Sequence, residues 1–167
     1  MFLWLRVSAA ASATVGTSVK KDENKQIRIT ANKLIAALDA GEIEFIGNVK
    51  ATQASTVITS DRLKIFYKAD AVKSQTHMPK PESIEKIIAR GHVKIIHEDI
   101  IAETNMAEYD TKTKILILTG ERSNVTQGGH SISGTKFTLY RLAGKITIES
   151  NGKQRVKAVF EAPARDK

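Results

Sequence analysis

From Gln26 to Phe160 the apolar positions recur every second residue, the period of a β-strand rather than of a helix. Ile27-Arg28-Ile29, Ile43-Glu44-Phe45, Leu63-Lys64-Ile65, Val93-Lys94-Ile95 and Ile146-Thr147-Ile148 each place apolar side chains on one face and a polar one on the other. Turn residues punctuate the pattern roughly every eight to twelve positions, at Ala40-Gly41, Gly47-Asn48, Arg90-Gly91, Thr119-Gly120, Gly128-Gly129, Ala143-Gly144 and Asn151-Gly152. Gly128-Gly129 and Asn151-Gly152 suit two-residue hairpin loops, because their backbones tolerate positive φ. Segments 33–38 and 84–90 have some helical character but are too short to stand as helices. Residues 69–83, with Pro79 and Pro81 and little apolar content, read as an exposed loop dividing one domain into halves. The pattern predicts an all-β chain.

The strands also repeat. Ile29-Ala31-Asn32-Leu34, Ile58-Ser60-Asp61-Leu63, Ile101-Glu103-Thr104-Met106 and Ile132-Gly134-Thr135-Phe137 share one spacing. Each opens with Ile, carries a polar or small pair and ends on an apolar residue at the fifth step. In an unbroken strand the first and last of these would face opposite sides. Both are apolar, so the chain is expected to turn or bulge at the polar pair. Phe66, Tyr109 and Tyr140 follow three of the openings at a common distance, and Gly47, Gly91 and Gly120 precede three units. Such units bury a continuous core by stacking. Alternation predicts that Ile27, Ile29, Phe45, Val49, Ile58, Leu63, Ile65, Val93, Ile95, Leu116, Leu118, Phe137 and Leu139 point inward, with Tyr109 at the rim or wall.

Composition narrows the possibilities. The chain has 167 residues, 41% hydrophobic and 26% charged, and no cysteine. Disulfides, thiolate metal sites and cysteine nucleophiles are therefore excluded together. The formal charge of +8 favours anionic partners. Lys50, Lys64, Lys94, Lys112, Lys114, Lys136, Arg141, Lys145 and Lys157 are scattered singly along strands, and only 5% of residues are aromatic. A β-platform for nucleic acid would interleave stacking aromatics with its cations, so nucleic acid is not expected as a partner. His92 and His97 fall on opposite strand faces, His77 lies in the central loop and His130 follows a turn, so no metal site is expected. Glu98-Asp99 reads as a hairpin tip rather than an acid/base pair, while Glu42, Glu44, Glu103 and Glu108 read as outward strand positions. No nucleophile elbow, phosphate-binding glycine loop or His-Glu-x-x-His motif occurs, and neither an enzyme nor a cofactor is expected. Residues 1–25 read as a leader, a shortened signal peptide ending near Ala11-Ser12-Ala13 or a disordered lead-in, and residues 164–167 as a frayed tail.

Ile27-Arg28-Ile29-Thr30-Ala31-Asn32, then Glu44-Phe45-Ile46-Gly47-Asn48-Val49 and Gln53, resemble the opening of the OstA-like family of lipopolysaccharide-transport proteins. Ile58-Thr59-Ser60-Asp61-Arg62-Leu63, Glu108-Tyr109-Asp110, Leu118-Thr119-Gly120, Gln127, Ile132-Ser133-Gly134-Thr135, Tyr140 and Gly152-Lys153-Gln154-Arg155-Val156 are similar to later elements, in order, over residues 26–163. Thr135 stands where the family usually has Asp, and Arg122 where an apolar residue is common.

The resemblance implies a twisted, open β-jelly roll of about sixteen short antiparallel strands. It implies a groove sheltering the acyl chains of lipid A, walled by some of the inward residues named above. It further implies a periplasmic location, head-to-tail self-association through edge strands, and LptC-like inner-membrane and LptD-like outer-membrane partners. The alternatives are a structural β-repeat module that binds polysaccharide or an envelope protein, and the anchored LptC-like partner itself. A structural module predicts a side-chain-filled interior; a carrier predicts an open apolar trough.

Overall fold

The computed structural model describes residues 26–68 and 80–162. The leader and most of the proline-containing loop expected from the sequence lie outside the described residues, as does the tail. The strands are β1 (Arg28–Thr30), β2 (Lys33–Ala37), β3 (Glu42–Gln53), β4 (Thr56–Tyr67), β5 (Ile84–His97), β6 (Ile100–Asp110), β7 (Ile115–Gln127), β8 (His130–Tyr140), β9 (Lys145–Glu149) and β10 (Lys157–Val159). Both segments with helical character are extended: residues 33–37 form β2, followed by a single 3-10 turn, and β5 begins at Ile84. Packing of β-branched side chains against neighbouring strands outweighs weak local helix preference there.

One antiparallel sheet contains all ten strands. β3 to β8 form a meander of successive hairpins, and two short strands pair at each end. At one end β1 pairs with the Lys50–Thr52 half of β3 and β2 with the Glu42–Ile46 half. At the other, β10 pairs with the Ser131–Ser133 half of β8 and β9 with the Lys136–Tyr140 half.

This division follows from a crease across the sheet. Register shifts occur between Ile46 and Val49, Thr59 and Arg62, Arg90 and Val93, Glu103 and Met106, and Thr119 and Ser123. Each long strand is thus two segments, one in each of two wings; the ten strands amount to the larger number of short ones expected. The first wing contains β1, β10 and the halves ending at Gln53, Thr56, His97, Ile100, Gln127 and His130. The second contains β2, β9 and the halves ending at Glu42, Tyr67, Ile84, Asp110, Ile115 and Tyr140.

The crease is made by the glycines and polar pairs. Gly47, Gly91 and Gly120, expected as turns, lie inside continuous strands. Gly47 and Gly91 adopt φ of +80° and +76°, and a Cβ at any of the three would collide with a polar side chain: Asn32 in the bend between β1 and β2, Asp61 of β4 or Asn105 of β6. The Asn32 N–H donates to Gly47 O at 2.9 Å, and the Glu121 N–H to Asn105 Oδ1 at 3.1 Å. Short polar side chains therefore fill the space that a missing Cβ leaves and bond the backbone that the bulge frees.

Two sequence expectations are corrected at this level. Asn151-Gly152 closes no hairpin: Gly152 has φ of +83°, but β9 and β10 both pair with β8, one in each wing, so this segment crosses between wings. In the third repeat unit the inward residues are Ala102, Thr104 and Ala107, one position later than the Ile101 spacing implies, because Ala102 lies opposite Ile95. An inward alanine gives too weak an apolar signal to set the register against Ile101.

Candidate functional site

Alternation within each wing, with a change of phase at the crease, gives one inner face. Pairing carries it across the sheet: Ile29, Ala51, Ile58, Ile95, Ala102, Val125 and Ile132 succeed one another in the first wing. Phe45, Leu63, Ala89, Ala107, Leu118, Phe137 and Ile148 do so in the second. Val49, Leu63, Val93, Leu118 and Phe137 are almost completely enclosed along or beside the crease; Phe137 is 2% exposed. Alanines at 51, 89, 102 and 107 join this cluster, and their small volume lets the wings approach at the crease.

The hydroxyls of Ser60, Thr104 and Ser123 in this spine are satisfied. Thr104 Oγ1 donates to Thr119 O at 2.9 Å and lies 2.7 Å from Ser123 Oγ, while Ser60 Oγ donates to Arg62 O at 3.0 Å. These hydroxyls absorb backbone groups displaced by the bulges.

Away from the spine the inner face stays open. Ile29, Phe45, Ile58, Ile95, Leu116 and Leu139 pack against the core but are only partly buried, as are Val125, Ile132 and Ile148. Ile65 is buried beside Ile43 in the second wing. Ile27 precedes β1, is half-buried and lies outside the central cluster. Tyr109 is half-buried on the inner face, between Ile87 and Leu116. Its proposed counterparts in the repeat, Phe66 and Tyr140, face outward, where Lys64 and Lys145 lie over their rings at 5.4 and 5.8 Å. The shared aromatic spacing thus breaks down with the one-residue offset of the third unit. Ala51, Ala89, Ala102 and Ala107, which shape the floor, escape a reading based on bulky residues; only their register opposite Ile and Leu marks them.

The chemistry of this face is an apolar trough with an enclosed floor and partly exposed walls. It continues to apolar edges, where Leu34 of β2 is 47% exposed and Ile146 of β9 is 60% exposed. Charges occupy the other face: Lys64 pairs with Glu42 at 2.7 Å, Lys86 with Glu108 at 2.7 Å, Lys94 with Glu103 at 3.3 Å and Lys136 with Glu149 at 3.7 Å. The Glu108 hydrogen bond raises the Lys86 pKa, and burial pushes the Tyr67 phenol up. A polar depression of about 380 Å³ lies on this outer face, with Glu103, Arg122, Asn124, Ser133 and Lys157 in its lining, and is separate from the trough.

The histidines are dispersed. His92 Nδ1 meets Asp61 Oδ2 at 2.8 Å on the outer side of the crease, His97 Nδ1 meets Thr56 Oγ1 at 2.8 Å, and His130 Nδ1 accepts the Glu161 N–H at 3.2 Å. His77 lies outside the described residues. Among the described residues no group of side chains has the arrangement of a metal site, and no helix is long and apolar enough to cross a membrane.

The model of the family described as "LptA/(LptD N-terminal domain) LPS transport protein" matches residues 28–145, which include the crease and most of both wings. The chain belongs to this family. Its members are transport proteins, in keeping with a site built of apolar walls rather than reactive groups. The chain is 27% identical over 166 residues to the lipopolysaccharide export system protein LptA of Haemophilus influenzae, covering 96% of this chain and 89% of that one. Its fold is similar to that of LptH of Pseudomonas aeruginosa, described as the LptA-homologous periplasmic component of the lipopolysaccharide transport device. That match has a TM-score of 0.64 at 17% identity, and covers 84% of this chain and 99% of the other. The likeness establishes the open β-jelly-roll architecture.

Proposed function

We propose that this chain is a non-enzymatic periplasmic carrier that shelters the acyl chains of lipopolysaccharide in its trough and forms a segment of a bridge between inner and outer membranes. Residues 26–163 are the carrier domain. The observation that supports this reading best is the incomplete burial of the inner walls: Ile29, Ile58, Ile95 and Ile132 on one wing, and Phe45, Leu116, Leu139 and Ile148 on the other. A structural repeat module would bury these residues against one another. Here the walls keep apolar surface available to a guest.

The energetics explain the need for a trough. Transferring one acyl chain of about twelve carbons from water to an apolar wall is worth roughly 10 kcal/mol gross, at about 0.8 kcal/mol per methylene. A lipid with several such chains does not cross an aqueous space unaccompanied. The relative from Haemophilus influenzae and the neighbour from Pseudomonas aeruginosa are named for lipopolysaccharide export and transport, and family membership extends that cargo to this chain. The short strands β1 and β2 at one end and β9 and β10 at the other have unpaired edges among the described residues. They are suited to head-to-tail pairing of copies and to docking LptC-like and LptD-like partners.

Site-specific photo-crosslinking tests the trough. A photoreactive residue replacing Ile95, Leu116 or Leu139 is expected to capture lipid A. The same residue replacing outward Lys94 or Lys136 is expected not to. Equal capture on both faces would overturn the assignment of the inner face as the lipid site.

A further inference from the structure

The two free margins of the creased sheet differ in charge. The first wing ends in the tight loops between β3 and β4, β5 and β6, and β7 and β8. These carry Glu98 and Asp99, with Glu161 folded against His130, and contain no lysine or arginine. The second wing ends in the β2–β3 turn, the residues flanking the β4–β5 connection, and the loops between β6 and β7 and between β8 and β9. In the first two, Asp39, Lys68, Lys80 and Glu82 are of mixed sign. The last two loops carry Lys112, Lys114 and Arg141, with Lys145 at the start of β9, all exposed. The Arg141 N–H donates to Lys114 O at 3.2 Å, so the two basic loops abut.

Asp110, the carboxylate beside these loops, offsets one of the four positive charges and leaves the cluster net positive. Asp110 Oδ1 accepts the Lys112 and Thr113 N–H groups at 3.0 and 2.7 Å and the Thr113 hydroxyl at 2.9 Å, so it serves to close its own turn. Among the described residues, none of the four cations is in an ion pair. Leu142, 79% exposed, lies among them, and Ile146 continues from there to Leu139 on the inner wall. An apolar path from the trough therefore ends in a cluster of net positive charge.

We propose that the margin formed by Lys112, Lys114, Arg141 and Lys145 is the headgroup site of the trough, binding the phosphates of the guest amphiphile and fixing which way round it lies. This rests on the carrier reading above and adds polarity to it: acyl chains lie against the walls, and the phosphorylated head lies at the second wing rather than at the acidic margin of the first. Opposite charge favours this orientation at the basic margin, and like charge opposes its reverse at the other.

The test compares lipid A with its dephosphorylated analogue on the full chain, at two ionic strengths. A variant carrying Lys112→Gln, Lys114→Gln, Arg141→Gln and Lys145→Gln is set beside a control with the same loss of charge elsewhere: Arg28→Gln, Lys50→Gln, Arg122→Gln and Lys157→Gln, all exposed. Thermal melting verifies that both fold. The margin variant is expected to lose roughly 10-fold or more in affinity for lipid A, to bind the dephosphorylated analogue as the parent does, and to show a weaker salt dependence. The control is expected to retain the parent's preference for phosphorylated lipid. Equal losses in the two variants, or no loss in either, would overturn the headgroup site while leaving the trough intact. Failure of the parent to bind either lipid would overturn both readings.

Discussion

Replacing Gly91 with alanine tests whether the crease is held by the contacts described for it. Gly91 has φ of +76°, a conformation that costs a residue with a Cβ about 1–2 kcal/mol. The added Cβ would collide with the Asp61 carboxylate and lie 2.8 Å from its Cγ and 2.9 Å from its Cβ. Since the crowding extends to the Asp61 Cβ, rotating the carboxylate away does not relieve it fully. Forcing that side chain off its rotamer adds about 1 kcal/mol. Losing the His92–Asp61 contact adds little, because both side chains are largely exposed.

Together these predict a loss of about 2–3 kcal/mol for Gly91→Ala. Gly144→Ala is the reference, since Gly144 has φ of +60° and nothing within 4 Å of an added Cβ; only the backbone cost of about 1–2 kcal/mol applies there. The assay is urea unfolding of the two single variants, of Asp61→Ala and of the Asp61→Ala/Gly91→Ala pair. The double variant is expected to recover about 1 kcal/mol relative to additivity, since removing the carboxylate removes the part of the collision that forces it off its rotamer while the contact with the residue 61 Cβ remains. A cost for Gly91→Ala no greater than for Gly144→Ala, together with strict additivity, would refute the contact as the reason for glycine.

Other consequences are independent of that contact. Phe137→Ala is expected to cost about 3–5 kcal/mol in chemical unfolding, because the ring is fully enclosed, whereas Leu142→Ala is expected to change stability by less than about 0.5 kcal/mol. Thr119 Oγ1 is buried without a hydrogen-bond partner among the described residues, so Thr119→Val is expected to stabilise the fold by about 1 kcal/mol, read as a higher urea midpoint. Hydrogen bonds from Thr113 and Lys112 hold the Asp110 carboxyl below its usual range. Its contribution to stability is therefore complete above about pH 4 and lost as pH falls through the lowered folded value. In Asp110→Asn that part of the acid dependence is expected to vanish, as measured by unfolding midpoints between pH 2 and 7.

The inward face was legible in the sequence because bulky apolar residues alternate along it. Val49, Leu63, Val93, Leu118 and Phe137 occupy the enclosed spine, while Ile29, Ile58, Ile95, Leu116 and Leu139 form partly covered walls. What alternation does not distinguish is floor from wall, since both require the same residue types. Burial depends on what the folded sheet packs against each position: the spine is enclosed at the crease, while Ile65 beside Ile43 is buried well away from it. The crease was half legible: the polar pairs marked a change of phase, but Gly47, Gly91 and Gly120 carry the same local signal as a chain reversal. Only pairing with β4 and β6 on both sides of them shows that the strands continue through them. Asn151-Gly152 has the residues of a tight hairpin, yet β8 offers each of the following strands a partner in a different wing. The contrast between the acidic and basic margins was equally hidden, because scattered lysines cluster only once the hairpins place loops 111–114 and 141–144 side by side.

The most direct test of the carrier account is equilibrium binding of labelled lipid A to the purified chain, competed separately by unlabelled lipid A and by a deacylated, phosphorylated oligosaccharide from the same lipid. The account predicts saturable binding that unlabelled lipid A displaces and the deacylated sugar does not, because most of the affinity comes from acyl chains in the trough. Non-saturable binding, or full displacement by the sugar alone, would contradict it.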